Sequence, residues 1–147
     1  MPSYSDNKKA HFDYEILETM EAGLVLSGGE VKSIRTGQAN LKGAFITFHD
    51  HKAWLTGAHI PKYKFSSVLT DDPDRSRQIL LKLKEMTYLR EKMQERGLTI
   101  VPLSLYNSGR LIKLKVAVAK GKKRFDKRES IKDRENKREI GRILKNN

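Results

Sequence analysis

The segment Glu30-Val31-Lys32-Ser33-Ile34-Arg35 holds the most usable chemistry in this chain of 147 residues. Residues three apart on a helix lie on one face. Val31 and Ile34 therefore turn inward together, and Lys32 and Arg35 share the opposite side. Two cations so placed form a clamp for phosphate oxygens. A solvated helix face would carry the same pair, and the residues alone leave both readings open. Tyr63, between Lys62 and Lys64, is the aromatic best placed to be exposed and to meet a base. Trp54, Phe45 and Phe48 could stack on bases, as aromatics do in barrels that bind single strands. Their alternating positions in apolar strands fit core packing better.

Other candidate chemistries fail on spacing or composition. His49-Asp50-His51 offers two imidazoles and a carboxylate. They straddle a predicted turn with no third ligand in view, so they read as exposed turn residues, as do the isolated His11 and His59. Asp71, Asp72 and Asp74 could attract magnesium, but Asp72-Pro73 reads as a turn, and Arg75 and Arg77 beside the acids would neutralise them. The chain has no cysteine, which removes disulfides, thiol nucleophiles and Cys-type zinc sites. It shows no phosphate loop, nucleophile elbow or zinc-protease motif. These readings point to a binding protein rather than an enzyme, with no cofactor and no metal.

Period-2 patterning supplies the elements that would position such a surface. In Leu98–Tyr106 and Leu111–Val118 apolar residues recur at every second place, with Asn107-Ser108-Gly109 between them as a hairpin turn. Pro102 argues for an edge or a bulge. A second hairpin runs through Ala44–Phe48, turns near Asp50-His51 and returns through Ala53–Gly57. A first long strand spans about Phe12 to Met20, and Ala22-Gly23 permits a bend before Leu24-Val25-Leu26. Gly28–Arg35 is a short helix that stops at Gly37. Lys82–Arg96 is a longer one, stopped by Gly97, whose buried stripe is Leu83, Met86, Leu89 (or Arg90) and Met93. Gln78–Leu81 fits either the start of that helix or a separate strand. Several strands with short helices between them suggest a mainly β fold, a closed or nearly closed barrel of oligonucleotide-binding type. Other small α+β folds share the pattern.

Charge names the class of partner. With 30 basic and 18 acidic residues the net charge is +12, a surplus that attracts polyanions. From Lys120 to Asn147 stand 12 basic and 5 acidic residues, so most of the surplus lies in the last fifth of the chain. That stretch holds few apolar residues but many helix formers. It reads as a tail that is disordered when free and helical when bound, giving residues 1–120 as an RNA-binding β-barrel domain and 121–147 as a basic tail. A membrane is the rival polyanion. The N-terminus has no apolar or acylation signal, and no run approaches the roughly 18 apolar residues of a span. Nucleic acid is the favoured partner.

The order of several short motifs resembles the small protein B family, the tmRNA-binding proteins of trans-translation. The likeness runs nearly end to end. It covers Asn7-Lys8-Lys9-Ala10, Asp13-Tyr14, Glu21-Ala22-Gly23, Glu30–Arg35 with Gly37, and Asp72-Pro73 with Arg75, Arg77 and Leu80-Leu81. It continues through Val101-Pro102-Leu103, Leu105-Tyr106, Ala119–Lys123 and Asp126-Lys127-Arg128. The resemblance implies an oligonucleotide-binding-type barrel with flanking helices. It implies an adaptor in the cytoplasm that binds the tRNA-like domain of tmRNA and, with elongation factor Tu, brings it to stalled ribosomes. On matched positions it implies RNA contacts from Asn7, Lys8, Lys9, Glu21, Gly23, Glu30, Lys32, Arg35, Asn40 and Leu80. It also implies a tail entering the decoding centre and the mRNA channel, walled by small-subunit rRNA, through Lys122, Lys123, Asp126, Lys127, Arg128, Ile143 and Leu144. Lys82 stands where the family commonly has an amide or histidine, so a contact there would be electrostatic. Phe125 stands where histidine or tyrosine is common, which keeps stacking but loses any ring hydrogen bond. Glu21, an acid facing RNA, would serve as an acceptor for base or 2′-hydroxyl donors, or alternatively as a salt-bridge partner within the barrel. Without the resemblance, a ribosomal or rRNA-binding protein would fit the same barrel and tail.

Overall fold

The structure, a computed structural model, describes residues 3–64 and 72–122. It contains β1 (Ser3–Asp6), α1 (Lys8–Asp13), β2 (Tyr14–Leu24), α2 (Gly28–Arg35), β3 (Phe45–His49), β4 (Lys52–Thr56), β5 (Arg77–Leu80), α3 (Leu83–Gln94), β6 (Leu98–Ser108) and β7 (Leu111–Gly121). All seven strands join one antiparallel sheet in the order β1-β6-β7-β2-β5-β4-β3. The sheet curls until β3 lies against β6, as expected of a small oligonucleotide-binding-type barrel.

Alternation along the strands divides the apolar residues between two faces. Ile46, Leu55, Ile79, Ile100, Leu105, Leu114 and Val116 fill the inside of the curl, where Ile34 of α2 and Leu89 of α3 join them. Val101, Leu103, Ala117 and Ala119 face the other way and are covered by Ala10 of α1, with Tyr14 and Ile16 beside them. The expected irregularity at Pro102 is present as a register shift between Pro102 and Ser104, which adjusts the strand between these two cores.

Several boundaries differ from the sequence expectation. Phe12 lies in α1, not in a strand, and β2 starts at Tyr14 and runs unbroken through Gly23. Gln78–Leu80 belongs to a strand, β5, which pairs with Gly23 and Leu24. The β6–β7 turn is Gly109-Arg110, because pairing persists to Ser108 and Leu111 and Gly109 supplies the positive φ of 62°. Leu83 is 80% exposed, and of the expected stripe Leu89 is buried, Met93 packs against the core half-buried, and Met86 is half-buried. The β3–β4 turn stands where expected, with Asp50 and His51 both at positive φ, the backbone that a two-residue type I′ hairpin demands.

Candidate nucleic-acid interface

Helix α2 is fixed first by local chemistry. Ser27 Oγ accepts from the Glu30 amide at 3.1 Å, and Glu30 Oε1 accepts from the Ser27 amide at 3.0 Å, a reciprocal capping box. The Glu30 carboxylate is itself only 3% exposed and bridges to β5. Arg77 donates from Nε at 2.7 Å, and Arg75 Nη2 joins from the other side. Arg77, 0% exposed, also donates to the carbonyls of Ala58 and Pro73, each at 2.9 Å. Burial pushes the Glu30 carboxyl up, but the Ser27 amide, Arg77 and Arg75 outweigh it and hold its pKa below the ordinary value. Arg75 and Arg77 thus do not neutralise Asp72 and Asp74 through their side chains; they serve Glu30. The expectation of a direct RNA contact from Glu30 meets the same obstacle, since its carboxylate points inward and is fully engaged.

The outward side of α2 is as the spacing requires. Ile34 is buried while Lys32 and Arg35 are exposed. Lys32 Nζ stands 5.4 Å from the centre of the Tyr63 ring. Arg35 donates to the Arg110 carbonyl at 2.9 Å, which ties α2 to the β6–β7 turn. Cationic groups of α2 and of the hairpin tip are thereby gathered at one end of the molecule. Gly23 pairs with Leu80 in the β2–β5 ladder, and a Cβ at Gly23 would stand 3.3 Å from Leu80 Cβ. Leu80 is half exposed there, two residues before the exposed Lys82. Glu21 lies on the outer face of β2, where it accepts from Tyr106 Oη at 2.5 Å. Burial and this carboxylate raise the Tyr106 pKa well above the ordinary phenol value. The alternative of a salt bridge for Glu21 is replaced by a neutral donor.

Asn7 is also an internal residue. Only 4% exposed, it caps α1 by accepting from the Ala10 amide and donates to the Pro102 carbonyl at 2.9 Å. Its side chain is spent on placing α1, which presents Lys8 and Lys9 to solvent, near the second core and not at the α2 end. Asn40 exchanges two backbone hydrogen bonds with His59. His59 Nδ1 stands 2.7 Å from Asp74 Oδ1, so His59 is not isolated. Lys122, assigned to the tail, donates its amide to the Asp13 carbonyl at 2.9 Å. Lys123, Asp126, Lys127, Arg128, Ile143 and Leu144 lie outside the described residues. Among the described residues no three His, Cys, Asp or Glu side chains gather to hold a metal ion.

Two side-chain placements were not read from the sequence. Tyr106 gave no signal, because its partner is remote in the chain. Phe45 did give one: it alternates out of phase with the inward Ala44 and Ile46, and it is 47% exposed, not core.

Comparisons with known proteins identify the family. The family model described as SmpB protein matches residues 4–146. A protein named SsrA-binding protein from Synechococcus is 50% identical over 141 residues, covering 95% of this chain and 92% of the relative. Its namesake from Oleidesulfovibrio alaskensis is 44% identical over 140 residues, covering 95% and 90%. A solved chain described as "tmRNA-SmpB: a journey to the center of the bacterial ribosome" superposes with a TM-score of 0.68 at 40% identity, covering 86% of this chain and 92% of that one. A match of this extent in sequence and in fold decides the matter: the chain belongs to the SmpB protein family.

Proposed function

We propose that this chain is an RNA-binding adaptor that binds tmRNA and delivers it to stalled ribosomes for trans-translation. The observation that carries the reading is the 40% identity, over 86% of the chain, to a protein described with tmRNA at the bacterial ribosome. The relatives' shared name, SsrA-binding protein, adds the RNA, since SsrA RNA is tmRNA.

The residues suit a binding role without chemistry of their own. Lys32 and Arg35 offer cationic groups on a helix held rigidly by Glu30, so little ordering entropy opposes phosphate contact. Glu21 offers an acceptor for donors on RNA. Leu80, Gly23 and Lys82 supply a small apolar and cationic ledge beside them. Asn7 and Glu30 act behind the surface, placing α1 and α2. The tail would then occupy the decoding centre and the mRNA channel, where Lys122, Lys123, Asp126, Lys127 and Arg128 meet rRNA and Ile143-Leu144 anchor the far end. Residues 1–120 would form the RNA-binding unit and 121–147 the ribosome-directed one. Elongation factor Tu would travel in the same complex with alanyl-tmRNA. The work is cytoplasmic in this reading; among the described residues no helix is long and apolar enough to cross a membrane.

Copurification tests the proposal. The tagged chain should bring down one RNA of tmRNA size in excess over ribosomal RNA. A chain that instead tracks whole ribosomal subunits, with no tmRNA enrichment, would be a ribosomal protein.

A further inference from the structure

Beside α1 the surface opens into a cavity of about 330 Å³ lined by Asn7, Lys9, Asp13, Tyr14, Phe45 and Thr99, among others. The Asp13 carboxylate would repel a phosphate, so an anion entering the cavity is left to Lys9. That volume lies at the small end for ligand sites, enough for one nucleotide and too little for a duplex. Phe45 is the unusual wall. It opens β3, where its neighbours Ala44 and Ile46 turn inward and it turns out. Its Cε1 lies 3.6 Å from where a Cβ of Gly57 would stand. At that ordinary van der Waals distance the ring packs beside Gly57, braced and still half exposed. The rim is open at Gly43, where nothing stands within 4 Å of a Cβ position. Lys9 lines the cavity, and Lys8 and Lys42 are exposed next to lining residues.

A braced aromatic ring, a cation and a nearby hydroxyl form the minimal kit for an unpaired nucleotide: the base stacks, the phosphate pairs with the ammonium, and the flat wall is indifferent to base identity. Asn7 is 4% exposed, with its amide nitrogen on the Pro102 carbonyl and its oxygen on the Ala10 amide; it shapes the wall and places Lys9. We infer that this cavity takes one unpaired nucleotide of bound RNA, with its base on Phe45 and its phosphate on Lys9. The inference rests on the RNA-binding reading above and adds a site remote from the α2 clamp. The nucleotide's source is tmRNA or ribosomal RNA, and the chemistry is the same for both.

The test titrates the full chain and its Phe45→Leu, Phe45→Tyr and Lys9→Gln variants against the transcribed tRNA-like domain of tmRNA and, separately, against vacant ribosomes. Phe45→Leu should weaken one of the two by about tenfold, at an unchanged melting temperature, while Phe45→Tyr binds as the parent does. Lys9→Gln should lower the salt slope for that same target by about 0.7. The target affected names the source of the nucleotide. Parental binding of both targets by Phe45→Leu would overturn the site. So would a loss shared by the Leu and Tyr variants that follows a fallen melting temperature, which would make Phe45 a packing residue. A parent chain that prefers neither target over unrelated RNA would sink the adaptor function itself, an outcome distinct from any difference among variants.

Discussion

Removing the Glu30 carboxylate would strand Arg77, a cation with no access to water and no other anion within ion-pairing reach among the described residues. Breaking one side of a buried pair typically costs about 3–5 kcal/mol, although the intact pair contributes far less than that, because desolvation opposes it. Glu30→Gln should therefore lower the melting temperature on the order of 10 °C, and lose RNA affinity only as α2 loosens. The pH dependence has a definite sign. The folded pKa of Glu30 is held below its ordinary value, so its contribution is present above the unfolded carboxylate pKa, near ~4.3, and is lost as pH falls through the folded one. Urea unfolding at pH 7 and at successively lower pH should show the parent's advantage over Glu30→Gln shrinking in that acid window. A constant gap would contradict the ion-pair account. Glu21 is the contrasting acid: it is exposed, and its Tyr106 partner is neutral. Glu21→Gln should weaken tmRNA binding while leaving the melting temperature nearly fixed, and a drop of many degrees would make Glu21 a structural residue.

At the scale of elements, α2 is where pattern and structure meet most closely. Its extent, its inward Ile34 and its outward Lys32 and Arg35 follow from residue spacing alone, whereas the Ser27–Glu30 capping box was not read from the sequence. Lys32→Ala with Arg35→Ala should weaken tmRNA binding and reduce the salt slope by roughly 0.7–0.9 for each phosphate no longer neutralised; an unchanged slope and affinity in a salt titration would remove α2 from the interface. The hairpins were also legible because alternation and turn residues are local, although the β6–β7 turn closes at Gly109-Arg110 and not over Asn107-Ser108-Gly109. What was not legible is non-local. Helix α1 has six residues and one buried apolar side chain, Ala10, so no periodicity announces it; it exists because Asn7 caps it and the outer face of β6 and β7 receives it. Leu83 matched the helical stripe by spacing, yet it stands in solvent. The inward roles of Glu30 and Asn7 were hidden for the same reason: their partners, Arg77 and Pro102, lie 47 and 95 positions away. Phe45 differs, since its phase against Ile46 could have marked it as outward.

Across the whole molecule, charge and core separate. The folded sheet holds the apolar residues, while the stretch from Lys120 holds 12 of the 30 basic ones and almost none of the core formers. A chain cut after Lys122 keeps the hydrogen bond from the Lys122 amide to the Asp13 carbonyl, which closes β7 against the start of β2. It should fold, melt near the parental temperature and bind tmRNA within several-fold of the full chain. Ile143→Asp with Leu144→Asp should leave folding and tmRNA binding alone and still impair ribosome rescue. The adaptor claim joins these two parts, and a purified translation system loaded with ribosomes stalled on truncated messages tests it most directly. Peptide tagging by tmRNA should depend on the full chain and be abolished with the form cut after Lys122, even though that form still binds tmRNA. Tagging that proceeds equally well with the shortened chain, or without any chain at all, would contradict the account.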